Sequence, residues 1–222
     1  MQLGSKARAT ARKNARASVR ARRADLYRSV VLEAAERVFA ERGFADARMQ
    51  EIAAAAGLSL ATLYGVFPGK AELFDAIHER RGRELLEHAA RVDSGLGLRK
   101  ALLAGVRGYV GYLIEHPAFL RMQLHDGAAW AMPEPTFRSQ AQRAAWTEGI
   151  RRMAELLREG SAAGEFVAED PTVMAKTMIA MHQVALADWI ERGGGESREA
   201  LLGRIVAQVE RAFCRPERAR KR

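Results

Sequence analysis

Five histidines and one cysteine are the groups that could carry metal or nucleophilic chemistry in this chain, and their spacing serves neither. His116, His125 beside Asp126, and His182 could meet in space. No two histidines stand three or four residues apart, however, and no HExxH run is present. Cys214 sits at the start of a basic tail, a poor place for a Cys/His nucleophile, and a lone cysteine excludes an internal disulfide or a multi-cysteine metal site. Gly193 to Gly195 follows a helical stretch rather than a strand, so it is no phosphate loop. The expectation is no catalytic residue, no metal, no cofactor, and therefore no enzyme.

Residues 48–70 are spaced for a different chemistry, recognition. Glu51-Ile52-Ala53-Ala54-Ala55-Ala56-Gly57-Leu58-Ser59 has the spacing of a helix-turn-helix. Ala53 is small enough to let two helices approach, Gly57 takes the tight turn, and Leu58 plugs the space between them. Ser59 caps a following helix whose N-terminal end suits a DNA major groove.

The next stretch, Thr62-Leu63-Tyr64-Gly65-Val66-Phe67-Pro68-Gly69-Lys70-Ala71-Glu72-Leu73-Phe74, together with Gly43-Phe44 and Ile52-Ala53, strongly resembles the DNA-binding domain of the tetracycline-repressor (TetR) family. The resemblance covers residues 24–75 well, and beyond them only the layout of helices. It implies a dimeric, all-α transcriptional regulator, usually a repressor released by a small molecule. It also implies that Ser59, Leu60, Ala61, Thr62 and Tyr64 lie on the recognition helix, with the Tyr64 hydroxyl on a phosphate. Lys70 matches a basic residue that grips the DNA backbone, and Gln50 a position that reaches a base edge, where it can bond adenine twice. Three departures stand out. Arg48 replaces the usual Ser or Thr cap of the second helix, shifting that cap to Asp46 or losing it, in exchange for a phosphate contact. Leu60 and Ala61 offer only apolar contact, such as a thymine methyl. Gly65-Val66 replaces a bulkier pair.

The elements that must position these residues read as helices throughout. Tyr27, Val31, Ala34 and Val38, with Val30, Ala35 and Phe39, form one apolar stripe that Gly43 ends, leaving Phe44 to fold back. Short helices follow at about 49–56 and after Ser59. A longer one opens at Pro68 and runs to about Arg91. Further helices are expected near 98–115, 117–125, 136–161, 171–192 and 197–214, punctuated by His116-Pro117, Gly164, Asp170-Pro171 and Ser197. The fold class is all-α: an N-terminal helix-turn-helix DNA-binding domain plus a C-terminal helical ligand-binding and dimerisation domain.

The formal charge of +9 resides in the tails. Residues 1–23 carry eight bases and no acid, residues 215–222 five bases and one acid, and the remainder is −3. The expected organisation is a disordered basic arm at 1–23, a DNA-binding domain at 24–93, an effector and dimer domain at 94–214, and a basic tail at 215–222. Arg20, Arg22 and Arg23 would supply phosphate neutralisation that the acidic head lacks, or else remain solvated. No apolar run approaches a membrane span and no apolar leader is present, so the expected location is the cytoplasm.

Residues 98–214 hold six of the eight methionines and, at 130, 146 and 189, all three tryptophans. Met174 and Met178 share a helical face, with His182 on a neighbouring stripe. Tyr109, Tyr112, Met122, Trp130, Trp146 and Met153 are placed opposite. Adaptable thioethers and flat aromatic area suit a largely apolar effector, and a closed core has the same composition. Leu201, Leu202, Ile205, Val209 and Phe213 form a wide stripe expected to meet a two-fold mate in a four-helix bundle. The partners expected are double-stranded DNA, a second copy, and an unidentified small molecule, with no membrane. The competing reading is a constitutive or architectural DNA-binding protein without an effector.

Overall fold

A computed structural model describes residues 3–90, 95–125 and 137–216, with side chains from residue 25 onward except at position 90. Trp130, the arginines at 20, 22 and 23 as side chains, residues 91–94 and residues 217–222 lie outside that description. Among the described residues every regular element is a helix. The order is α1 (Leu3–Asp46), α2 (Met49–Ala55), α3 (Leu60–Val66), α4 (Lys70–Ala90), α5 (Leu98–Glu115), α6 (Pro117–His125), α7 (Gln140–Ala162), α8 (Pro171–Glu191) and α9 (Arg198–Phe213).

The chain divides into two compact units, Met1–Phe74 and Asp75–Arg222. The sequence places that boundary after α4, whereas the structure divides within it. The first turns of α4 bury Leu73 and Phe74 in the first core, and the remaining turns belong to the second.

In the first unit α1 buries Val31, Leu32, Ala34, Ala35, Val38 and Phe39. The arm expected to be disordered is instead helical from Leu3 and continuous with this stretch. Its composition accounts for the difference. Between Ser5 and Arg23 it is mostly Ala, Arg and Lys, all strong helix formers, with neither Gly nor Pro. Gly43 ends the regular turns with φ 72° and ψ 168°, a left-handed φ that favours glycine. Phe44 then folds back as the spacing predicts, stacking on Phe39 at 5.8 Å and meeting Phe74 edge-on at 5.0 Å.

In the second unit α5 is central, packed on α6, α7 and α9, while α8 bridges α7 and α9. Its caps follow the sequence closely. Ser139, Asp170 and Ser197 accept from backbone N–H groups at the starts of α7, α8 and α9. α7 starts at Gln140, where Ser139 supplies the cap, rather than near 136. Gly160 leaves room for the Phe166 ring, where any added Cβ would overlap it.

Candidate DNA-recognition surface and effector cavity

The helix-turn-helix is built on a few short contacts. Ile52 and Ala53 of α2 and Leu63 of α3 are buried, and Gly57 takes the turn at φ 67°. The Leu58 N–H donates to the Ala53 carbonyl at 2.9 Å, closing α2. Arg48 provides no side-chain cap to α2, and Glu51 supplies the reciprocal half by accepting from the Arg48 N–H at 3.2 Å. The Arg48 side chain is thus left exposed, beside an exposed Gln50.

On α3, Ala61, Thr62 and Tyr64 are exposed and Leu60 is half-buried. Ser59 Oγ caps the helix by accepting from the Thr62 N–H at 3.1 Å, and the Ser59 and Thr62 hydroxyls bond each other at 2.8 Å. Tyr64, 48% exposed, is the large side chain projecting from this helix. The polar groups it offers to a base pair or phosphate are therefore few.

Lys70 does something its sequence position did not reveal. Its ammonium donates to the carbonyls of Phe44 and Ala45 at 2.8 Å each and of Ala47 at 3.2 Å, and lies 4.8 Å from the centre of the Phe44 ring. Three donors meet three carbonyls, so its hydrogen-bonding capacity is spent inside the head. It closes the C-terminal end of α1, where a cation is favoured by both the orphan carbonyls and the helix dipole. The signal available in the sequence was Gly43: a helix ending there leaves carbonyls that a nearby base can satisfy.

The second unit contains a cavity of about 340 Å³. Its walls come from α4, α5 and α7, with Phe119 and Gln123 from α6 and Ile179 from α8. Small residues are frequent in the lining: Gly82 and Ala89 on α4, Ala101 and Gly105 on α5, Ala145 and Gly149 on α7. At Gly82 an added Cβ would come within 2.8 Å of the Ala145 methyl, so α4 and α7 already touch there. Leu85, Leu86, Leu102, Val106 and Trp146 make the lining apolar. His78 joins them, 2% exposed, with burial pushing its pKa down to about 4 despite the nearby Asp75 carboxylate. Burial likewise pushes the Tyr109 phenol up to about 12.

Comparison with known proteins bears on the head first. Residues 31–77 match the family model described as bacterial regulatory proteins, tetR family. An uncharacterized HTH-type transcriptional regulator of Mycobacterium tuberculosis is 45% identical over 76 residues, 32% of this chain and 38% of that protein. The match thus spans well under half of that relative. The HTH-type transcriptional repressor NicS of Pseudomonas putida is 27% identical over 153 residues, 67% of this chain and 69% of that repressor. Among solved structures, a ketosteroid transcriptional regulator of Mycobacterium tuberculosis superposes with a TM-score of 0.71 at 21% identity, covering 85% of this chain and 95% of that one. Residues 31–77, within the head, thus resemble a tetR-family DNA-binding domain.

Within the second unit the cavity and the residues expected to surround it only partly coincide. Tyr109, Trp146 and Met153 line it. Tyr112, Met122, Met174, Met178 and His182 do not; all five are core side chains, at most 3% exposed. Tyr112 is held by its own network, donating to Glu84 Oε2 at 2.5 Å and stacking on His116 at 4.1 Å. The methionine face of α8 is buried core, and α8 reaches the cavity through Ile179 instead. Sequence reasoning missed the α4 contribution, His78 through Ala89, because it assigned that helix to the DNA-binding head.

The stripe expected at a dimer contact is also used elsewhere. Leu201, Ile205, Val209 and Phe213 are buried inside the unit, where α9 packs on α5 and α8, and Leu202 alone of the five is half-exposed. The outward faces are different residues: Val173 (59% exposed) and Val184 (71%) on α8, with Leu202 and Val206 half-buried on α9. Among the described residues no group of three metal-ligating side chains exists, and no helix is long and apolar enough to cross a membrane.

Proposed function

We propose that this protein is a homodimeric tetR-family repressor that binds a pseudo-palindromic operator and leaves it when a small, largely apolar molecule enters the cavity of its second unit. The observation that carries the proposal is the apolar cavity bounded by α4, the helix whose first residue, Lys70, is tied into the DNA-binding head. The DNA-facing set is Arg48, Gln50, Ser59, Leu60, Ala61, Thr62 and Tyr64, with Lys70 as an internal brace of that surface. Arg20, Arg22 and Arg23, on the helical extension, add phosphate contacts. Because α9's main stripe is already buried, the second copy sits on Val173, Val184, Leu202 and Val206.

Effector binding needs differential affinity: a molecule that fits the DNA-released state better by about 1–3 kcal/mol changes occupancy several-fold or more, and one that fits both states equally changes nothing. The test is binding of the purified protein to the DNA flanking its own gene at about 150 mM salt, against excess unrelated duplex. Competitor-resistant binding at dimer stoichiometry supports the operator-specific reading. The sparse polar surface of α3 and the eight bases of residues 1–23 favour one second reading, a constitutive DNA-binding protein. Steep salt dependence with equal competition by any duplex, at this and other candidate operators, would replace the first reading with the second.

A further inference from the structure

The lining of the cavity carries charge information as well as shape. Among its described residues there is no aspartate or glutamate, and the polar members are His78, Tyr109, Gln123, Gln142 and Arg152. Arg152 is the cation of this set, and its side chain is 49% exposed, so it stands at the rim while the hydrocarbon walls lie inside. Its Nε donates to Glu148 Oε1 at 2.5 Å, which fixes the guanidinium. Its two terminal nitrogens donate to no described residue. Glu148 also accepts two bonds from Arg151, from Nε and Nη2, both at 2.8 Å, and Arg151 donates in turn to Glu155 at 2.7 Å, so the four side chains balance in charge and what Arg152 offers a ligand is its two uncommitted terminal nitrogens.

Resting on the proposed effector reading, we infer that the cavity selects a small amphipathic carboxylate, its apolar body between α4, α5 and α7 and its anionic group on the terminal nitrogens of Arg152. A buried ammonium would meet no acid in this lining and would lose its hydration without recompense. A carboxylate at the rim keeps part of its water and gains the planar fork of a guanidinium, whose geometry it matches. His78 stays neutral at physiological pH, since burial holds its pKa near 4, and so adds no second cation that would call for a dianion. A volume of about 340 Å³ lies near the lower end of the small-molecule range of about 300–1,000 Å³, which limits the body to a short chain or a single small ring system.

Trp146, in the wall, reports occupancy by its fluorescence. The full-length protein is titrated with three probes of one chain length, octanoate, 1-octanol and octyltrimethylammonium, with Trp146→Phe as the control that assigns the signal to this cavity. Octanoate is expected to bind about tenfold or more tightly than 1-octanol, the worth of one charge-assisted contact, and the ammonium weakest of the three. Arg152→Met is expected to bring octanoate down to the affinity of 1-octanol without weakening 1-octanol, and Arg152→Lys to restore part of the difference. Equal affinities, a preference for the alcohol or the cation, or no binding of any probe would overturn the inference. Octanoate that saturates the cavity of the protein–DNA complex without releasing DNA would instead leave the carboxylate site standing and defeat the effector reading.

Discussion

The two units solve opposite packing problems. The head, Met1–Phe74, closes its core on three phenylalanines, Phe39, Phe44 and Phe74, and spends a lysine on three carbonyls at a helix end. None of its described residues buries a side-chain nitrogen or oxygen without a hydrogen-bond partner. The second unit leaves about 340 Å³ open between helices faced with glycine and alanine, and buries both ring nitrogens of His182 with no partner among the described residues. A surface that reads DNA must hold its geometry, and the head is sealed accordingly. The open space and unspent polarity of the second unit fit its proposed role in binding a small molecule.

This contrast can be broken by mutation. Phe39→Ala should cost the head about 3–5 kcal/mol, because a sealed aromatic core cannot collapse around the hole, and DNA binding should go with it. Met153→Ala, at the wall of an existing cavity, should cost less than about 1–2 kcal/mol, since part of its surface already faces empty space. Chemical unfolding of the two variants checks both. Comparable losses would mean that the second unit is packed as tightly as the head.

Acidification should separate the units next. Residues 1–74 contain no histidine, whereas burial lowers His78 and His182 of the second unit to about 4. Each is neutral when folded and takes up a proton on unfolding below its ordinary value near 6.5. Stability is therefore complete above about pH 6.5 and falls as the pH drops toward 4, by about 2 kcal/mol per histidine at pH 5. His182→Leu should remove one share of that slope in thermal unfolding from pH 7 to 5. An unchanged slope would mean that His182 is hydrated in the folded protein.

Lys70→Met sharpens the description of the head. Lost bonds to the end of α1 should destabilise it by about 1–2 kcal/mol and weaken DNA binding at every salt concentration. The slope of log affinity against log salt should stay the same. A slope smaller by about 1 would identify a phosphate contact instead of a brace.

The smallest effect is expected at Gly149→Ala in α7. The added methyl would meet Leu86 Cδ2 at 3.7 Å, an ordinary contact, and replace a helical glycine. Stability should rise by up to about 1 kcal/mol while the cavity shrinks and probe affinity falls.

Much of the head was legible because its signals are local. Gly43, Gly57 and Ser59 fix a turn or a cap by their own chemistry, and α2 and α3 fall within a residue or so of where those markers put them. The start of α1 was not legible, since a charge block reads as solvated even when its residues are good helix formers. The cavity was hidden for a deeper reason. Hydrophobic periodicity finds faces that are filled, and this space is lined in part by residues with almost no side chain, Gly82, Gly105 and Gly149. The methionines of α8 drew attention to a face that proved to be buried core. The strongest stripe of α9 was found correctly as apolar, but burial against α5 and α8 satisfies it, and periodicity alone does not say which neighbour covers a stripe.

In the proposed function, occupancy of the second unit's cavity governs DNA binding. Its most direct measurement follows fluorescence anisotropy of labelled DNA from beside the gene while octanoate or 1-octanol, whichever saturates Trp146, is titrated into wild type and a cavity-filled Gly149→Leu variant. DNA release from the wild type is expected at the concentration that fills the cavity, and retention by the variant. DNA that stays bound to wild type at saturation, or that leaves both proteins alike, would contradict it.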